Sequence, residues 1–207
     1  MAKMLQGILG AVSGKVGGVV AASWKDKIYV RGYSIPANPN TEAQQAQRSS
    51  FARCVNFAKL LIGQVFNVYT DRFLKNMSGF NYFISRNIAH FAIPLAYNLV
   101  KITEGKLSYP SVNLPSTSYG DGVLTIGFNP NLGNNGANTD KVFGCAYNEA
   151  TGVMAFPAGE VTRESGSIEI PIFASVGQPL YFWIFAIKYN GTVPEIISDS
   201  VFDTIDA

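Results

Sequence analysis

The spacing of hydrophobic positions divides the chain into three zones. The first, residues 1–39, is rich in glycine and contains an alternating apolar and polar stretch over residues 24–31. This stretch surrounds the polar residues Lys25, Asp26 and Lys27. Period-two alternation around a short polar turn is typical of a β-hairpin. The first zone therefore predicts a glycine-rich β arm.

The second zone has helical periodicity. Thr41 and Gln44 fit the capping-box pattern of a helix N-terminus. Apolar residues then recur at three- and four-residue intervals until Gly63 interrupts them. We expect a helix over residues 41–62 and two shorter helices over residues 65–76 and 80–90. The buried stripe of the first helix is predicted to contain Ala43, Ala46, Phe51, Val55, Ala58 and Ile62.

The third zone begins near residue 107 and predicts strands. Apolar runs of four to eight residues alternate there with clusters of Gly, Asn, Pro and Asp, as in a small antiparallel sandwich. The continuous run at residues 180–187 predicts a central strand with Trp183 as a core anchor. The predicted strands are residues 107–114, 123–128, 142–147, 153–156, 167–172, 180–187 and 194–201.

These zones predict an α+β protein in two domains. An N-terminal β arm and helical module would be followed by a C-terminal antiparallel β-sandwich of the fibronectin-III or immunoglobulin type. Charge places the boundary near Lys101. Residues 1–101 carry twelve Lys and Arg against three carboxylates, a net charge of +9, whereas residues 102–207 carry four against eleven, a net charge of −7. Such asymmetry indicates modules with different partners.

Few residues suggest catalysis or metal binding. Residues 10–15 have the Gly-Lys of a phosphate loop, but Leu9 and Val16 occupy two positions that the motif requires as Gly and Ser or Thr. His90 is the single histidine and has no evident orienting acid. The oxygen-rich segment 129–140 lacks EF-hand spacing and predicts a hairpin loop. We expect a non-enzymatic protein with no catalytic residue, cofactor or metal.

Membrane insertion and secretion are not expected. The apolar segment 4–24 is interrupted by glycines and has Lys15 at its middle, which would cost roughly 3 kcal/mol at the centre of a bilayer. It also lacks the continuous apolar region of a signal peptide. Cys54 and Cys145 lie far apart and have no metal-type spacing, so we expect two buried reduced thiols. Because the strand zone has no pair of cysteines, a fibronectin-like sandwich is favoured over an antibody-like one.

Several sequence segments resemble an uncharacterised family found in Bacteroidetes and their phages. They are G-x-x-G-x-x-S-G-K-V-G over residues 7–17, S-W-K over 23–25, N-P-N-T-E-A-Q-Q-A-Q-R over 38–48 and S-G-F-N-Y-F over 78–83. The pattern is similar to proteins of phage structural gene clusters. The resemblance covers about the first 95 residues. It implies a bacterial or phage source and a virion component, and it supplies no functional residues.

Basic residues interleaved with aromatic ones are the clearest candidates for an interaction. Such residues suit nucleic acid, but here they are dispersed along the chain without a nucleic-acid motif. The basic module could instead neutralise the acidic sandwich within one chain, or dock head to tail on the next subunit. The candidate interaction residues are Lys15, Trp24, Lys25, Lys27, Arg31, Arg48, Arg53 and Lys59.

The preferred hypothesis is a structural or assembly protein, a phage virion component that acts through docking of like or unlike subunits. Residues 7–31 would form an arm that adds to the sheet edge of a neighbour, and the helix over residues 41–62 would be the scaffold. The expected location is the virion or the bacterial cytoplasm, without a signal peptide. The alternative is a nucleic-acid-binding protein that uses the basic N-terminal module.

Overall fold

A computed structural model describes residues 2–3, 13–24, 27–133 and 135–207. The chain divides between Thr41 and Glu42, which gives one unit of Met1–Thr41 and a second of Glu42–Ala207. The boundary predicted near Lys101 therefore falls inside the second unit. The predicted mixed α+β composition, with N-terminal strands, a helical region and antiparallel sheets, is confirmed.

The first unit is a four-stranded antiparallel sheet. Its order is β1-β4-β3-β2, and Gly17, at φ +57°, lies in the two-residue turn between β2 and β3. The predicted hairpin is present, because Trp24 pairs with Lys27 at the end of β3 and β4. Its connecting residues, 25 and 26, lie outside the described residues. The strands are β1 (Ala2–Lys3), β2 (Gly14–Val16), β3 (Val19–Trp24) and β4 (Lys27–Gly32).

The second unit begins with helices. Helix α1 (Glu42–Leu61) continues beyond Gly63 as a π-helix (Ile62–Thr70) and a short α2 (Asp71–Phe73). The helix does not end at the glycine because Val65 and Phe66, just beyond it, are buried in the core. Their burial outweighs the roughly 1 kcal/mol that a glycine costs in a helix. Helix α3 (Gly79–Asn87) follows and is capped by Ser78, whose hydroxyl accepts a hydrogen bond from the Asn81 amide.

The buried face of α1 differs from the predicted stripe. Residues 42–49 are exposed throughout, Ala43 and Ala46 included, and Phe51 is 49% exposed. The first two turns of α1 are therefore exposed, and burial begins at Ser50, with Ala58 common to the predicted and the buried sets. The buried residues are Ser50, Cys54, Phe57, Ala58 and Leu61.

Two antiparallel sheets follow the helices. The larger has the order β10-β8-β12-β13, with β14 also on β12 and β9 also on β8, and the smaller has the order β11-β7-β5, with β6 also on β7. Segment 129–140, predicted as a hairpin loop, crosses between sheets, because β7 and β8 do not pair. The strands are β5 (Ser111–Val112), β6 (Ser118–Gly120), β7 (Val123–Asn129), β8 (Lys141–Asn148), β9 (Val153–Ala155), β10 (Val161–Thr162), β11 (Ser167–Pro171), β12 (Pro179–Asn190), β13 (Val193–Ile197) and β14 (Val201–Asp206).

Strand β12 lies between two hydrophobic cores. Alternate residues face opposite sides of a sheet. Trp183, the predicted core anchor, is fully buried, and its indole Nε1 donates a hydrogen bond to the Val100 carbonyl at 2.9 Å. The helices and the two sheets therefore form three layers with two shared cores. On one side, Leu180, Phe182, Ile184 and Ala186 join buried residues of the smaller sheet. On the other, Trp183, Phe185 and Ile187 join Phe57, Leu61, Phe66 and Phe83 of the helices.

Candidate interaction surface

Cross-strand register brings four candidate interaction residues of the first unit, Lys15, Trp24, Lys27 and Arg31, onto one face of its sheet. Residues directly opposite each other in an antiparallel pair share a face. Val20 pairs with both Lys15 and Arg31, and Trp24 pairs with Lys27. Because residues 20, 22 and 24 alternate with residues 19, 21 and 23, these pairs lie on one side of β3. We call this side the basic face; it comprises Lys15, Val20, Ala22, Trp24, Lys27, Tyr29 and Arg31.

The opposite side of the sheet is apolar. Val16 pairs with Val19, and Ala21 pairs with Val30. Val16 is 61% exposed and Val19 is 43% exposed, whereas Ala21 is buried. Among residues 13–24 and 27–41, Ala21 is the only buried one. We call this side the apolar face; it comprises Gly14, Val16, Val19, Ala21, Ser23, Ile28, Val30 and Gly32.

The basic face presents cations next to aromatic rings. The Lys15 ammonium lies 3.6 Å from the centroid of the Tyr33 ring, a cation–π contact. The Tyr33 amide donates a hydrogen bond to the Gly18 carbonyl at 2.8 Å, which holds this tyrosine against the turn between β2 and β3. Trp24 and Arg31 are exposed. Such a face can contact phosphates, anionic side chains and unstacked bases. Lys25, the remaining candidate of this unit, lies outside the described residues.

The candidates on α1 do not form a second cluster. Arg48 and Lys59 are exposed. Arg53 lies about 140° around the helix from Arg48 and is half-buried, with its Nε donating a hydrogen bond to the Phe91 carbonyl at 3.0 Å. The helix therefore supplies separate cations, and one of them points towards the body of the second unit.

The side chain of Arg53 borders a cavity of about 400 Å³ in the second unit. Its aromatic walls come from separate segments of the chain, so sequence spacing gave no signal for it. The Tyr97 hydroxyl donates a hydrogen bond to Glu149 Oε1 at 3.3 Å. Burial raises the pKa of Tyr97 and Tyr147 above the ordinary tyrosine value. The cavity is lined by Arg53, Asn56, Phe57, Leu60, Phe91, Leu95, Tyr97, Tyr147, Glu149 and Gly152.

The remaining reactive residues have structural surroundings. Cys54 and Cys145 are buried free thiols, and burial raises the pKa of both. Asp140, in the oxygen-rich segment, accepts a hydrogen bond from Arg163 Nε at 3.1 Å. No group of three or more His, Cys, Asp and Glu that could hold a metal ion occurs in the described part of the chain. None of its helices is both long and apolar enough to span a membrane.

A protein-family model with the description "Family of unknown function (DUF6266)" matches residues 11–193. The chain belongs to this family. The match extends over most of both units, and it agrees with the expectation of an uncharacterised family. The specific signature and the Bacteroidetes or phage origin stay predictions. Comparison with curated proteins and with solved structures gave no match.

Proposed function

We propose that this protein is a structural or assembly protein whose N-terminal sheet docks on a second copy of the chain. The observation that carries the proposal is the exposure of Val16 and Val19 on the apolar face. A sheet of four short strands gains stability mainly from covering such a face. Among residues 13–24 and 27–41 only Ala21 is buried, and a neighbouring subunit is the proposed cover.

The distribution of charge supports head-to-tail docking. Unit Met1–Thr41 contains five basic residues and one acidic residue, whereas Glu42–Ala207 contains eleven basic and thirteen acidic residues. A net charge of +4 therefore faces one of −2 when the first unit of one copy meets the second unit of the next. Heterologous contacts of this kind generate rings or filaments. The resemblance to phage structural proteins adds the virion as the proposed setting.

The connection between the units suits this role. Residues 33–41 form no helix or strand, are exposed, and include Pro36 and Pro39. Prolines favour an extended backbone that acts as a spacer. The first unit can in this way reach a neighbour as an arm.

The edge of the N-terminal sheet at β2, which carries Lys15, is the proposed place for strand addition. In the described part of the chain β2 pairs only with β3.

Sedimentation velocity on the full chain, from roughly 1 to 200 µM, tests the proposal. We expect concentration-dependent oligomers. The double variant Val16→Thr/Val19→Thr keeps β-branched side chains but makes the apolar face polar, and should raise the association midpoint at least about tenfold. The matched control, Val20→Thr, changes the basic face and should leave association unchanged. A chain that is monomeric at every concentration, or equal effects of both changes, would contradict the proposal.

The basic face supports a second candidate function, binding of single-stranded nucleic acid. Three cations, Lys15, Lys27 and Arg31, share this face with Trp24 and Tyr29. Sheets that present cations and aromatic rings together can contact backbone phosphates and stack bases. The residues that are dispersed in sequence are thus neighbours in register, which favours this function over a merely solvated distribution of charge.

Fluorescence anisotropy with a labelled single-stranded oligonucleotide, titrated at several salt concentrations, tests this second function. Binding should weaken with salt, and the triple variant Lys15→Gln/Lys27→Gln/Arg31→Gln should lower the salt slope by about 0.7 for each phosphate that is no longer neutralised. Arg48→Gln/Lys59→Gln on α1 is the control for overall charge. Absence of binding at low salt, or an equal effect of the control, would exclude the basic face as a nucleic-acid site.

We further propose that the two sheets of the second unit form a fibronectin type III sandwich. Strand order supports this assignment. In the proposed correspondence, β5 with β6 would be the first strand of that fold, β7 the second and β11 the fifth, all in one sheet. The other sheet places β8 between β12 and the short strands β9 and β10, and places β13 and β14 on the far edge of β12. The helical layer would then be an addition outside the larger sheet.

A further inference from the structure

We propose that the cavity beside Arg53 binds a small zwitterion of the amino-acid or dipeptide class with an aromatic or bulky apolar body. The cavity, of about 400 Å³, lies wholly in the second unit. This volume falls within the range of small-molecule sites, which are mostly apolar and contain a few polar groups that orient the ligand. The proposal is independent of subunit docking and of nucleic-acid binding.

The walls of the cavity are preformed aromatic rings. The Tyr147 ring packs edge-on against Phe57, with centroids 5.1 Å apart at 70°, and lies 5.8 Å from the Tyr97 ring. Phe57 also contacts Phe91, at 5.3 Å. Because each ring is held by its neighbours, little side-chain ordering is needed when a ligand enters. These surfaces favour an aromatic or bulky apolar ligand body.

Two opposite charges line the same cavity, and neither belongs to an ion pair in the described part of the chain. Arg53 is oriented by neutral acceptors, the Phe91 carbonyl at 3.0 Å and the Ser50 hydroxyl at 3.4 Å. Glu149 is oriented by neutral donors, the Tyr97 hydroxyl at 3.3 Å and the Tyr181 hydroxyl at 3.5 Å. Neutral groups therefore orient the half-buried Arg53 and the exposed Glu149, and both charges remain open to a charged ligand.

The charges define the polar ends of the ligand. The planar guanidinium of Arg53 is suited to a carboxylate, and Asn56 adds an amide beside it on α1. The carboxylate of Glu149, next to the Tyr97 and Tyr147 rings, is suited to an ammonium group. A molecule with an apolar body, a carboxylate and an ammonium group would contact the aromatic walls, Arg53 and Glu149 together. A molecule with only one charged group would leave either Arg53 or Glu149 without an oppositely charged partner.

Saturation-transfer NMR and calorimetry on the full-length protein test the site. The probes are phenylalanine, tryptophan, leucine and phenylalanylglycine, together with phenethylamine, which carries only the cation, and 3-phenylpropionate, which carries only the anion. We expect at least one zwitterion to bind more tightly than either single-charge probe. If none of the probes binds at about 10 mM, which corresponds to less than about 3 kcal/mol of binding free energy, the proposal is overturned.

Two neutral variants separate recognition from structural support. Arg53→Gln should weaken binding of the zwitterion and of 3-phenylpropionate about tenfold and leave phenethylamine unchanged. Glu149→Gln should weaken the zwitterion and phenethylamine and leave 3-phenylpropionate unchanged. The controls, Lys59→Gln and Glu169→Gln, remove the same charges from exposed positions outside the cavity and should change nothing. Equal weakening of all probes by Arg53→Gln and by Glu149→Gln would show a structural role only and would overturn the proposal.

Discussion

At the scale of single residues, the buried thiol of Cys54 makes the stability of the fold depend on pH. Burial raises the pKa of its thiol from 9.0 to about 11. The folded protein therefore holds this proton more tightly than the unfolded chain, and the resulting stability is fully present below about pH 9 and lost as the pH rises to about 11. We expect the urea midpoint to fall over this window, and to fall less in Cys54→Ala. Ser49→Ala, at an exposed position of the same helix, should retain the full decrease, and a decrease of equal size in Cys54→Ala would contradict the assignment.

Arg163 is the most completely buried cation among the described residues. Its side chain is 0% exposed and that of Asp140 is 2% exposed. Desolvation lowers the pKa of Arg163, and Asp140 opposes that effect. The guanidinium also donates to the Pro130 carbonyl at 2.5 Å and to the Ser108 carbonyl. Arg163 thereby connects segment 129–140, which runs between β7 and β8, to the segment that precedes β5.

Removing one partner of this pair leaves the other charge buried alone. Asp140→Asn should lower the free energy of unfolding by about 3–5 kcal/mol in urea denaturation. The control is Glu160→Gln, which breaks the more exposed pair of Glu160 with Lys141 and should cost less than about 1 kcal/mol. Similar losses in the two variants would mean that Arg163 does not depend on Asp140 for its burial.

At the scale of elements, α1 offers two phenylalanines in opposite environments. Phe57 is 4% exposed and contacts the rings of Trp183, Phe83 and Phe91, whereas Phe51 is 49% exposed. Phe57→Ala should cost about 3–5 kcal/mol of unfolding free energy, and Phe51→Ala less than about 1 kcal/mol. Chemical denaturation of both variants measures the difference. A larger loss at Phe51 would support the apolar stripe expected from the sequence.

The success of the sequence predictions depended on how many faces of an element are buried. The run at residues 180–187 identified β12 because both of its faces are covered, so every position is apolar. The stripe of α1 was wrong at Ala43 and Ala46, because alanine is compatible with exposed and with buried helix surface alike. Gly63 did not end the helix, because local propensity was weaker than the burial of the residues that follow it.

The two candidate sites differ in what the sequence could reveal. Lys15, Trp24, Lys27 and Arg31 were identified from residue type, but their common face depends on the register of β2, β3 and β4. The cavity could not be found in this way. Its charges, Arg53 and Glu149, are almost a hundred positions apart in the sequence, and only the packing of α1 on the larger sheet places them around one space.

At the scale of the whole molecule, the charge contrast between the two halves of the chain is largely neutralised within the second unit. Arg86 pairs with Glu104 at 3.2 Å, and Lys101 lies 3.8 Å from Asp199. Both pairs join the basic helical zone to the acidic zone that follows. These ion pairs favour neutralisation of residues 42–101 within one chain. The net charge of Met1–Thr41 is then the charge that remains for a proposed partner.

The position of the domain boundary can be tested with two fragments. Residues 42–207 contain all buried residues of both hydrophobic cores, so this fragment should fold cooperatively and melt within about 3 °C of the full chain. Residues 102–207, the domain expected from the charge contrast, would expose Trp183, Phe185 and Ile187, because the helices that cover them are removed. We expect this shorter fragment to aggregate or to lack a cooperative transition in calorimetry.

The same fragments distinguish folding from assembly. If the first unit is the docking module, residues 42–207 should remain folded and sediment as a monomer where the full chain associates. If this fragment still associates, the docking surface lies in the second unit. Cooperative unfolding of residues 102–207 alone would show that the larger sheet does not need its helical cover, and that the boundary near Lys101 is a true domain boundary. Because α1 covers the face of β12 that carries Trp183, we expect the boundary at Thr41.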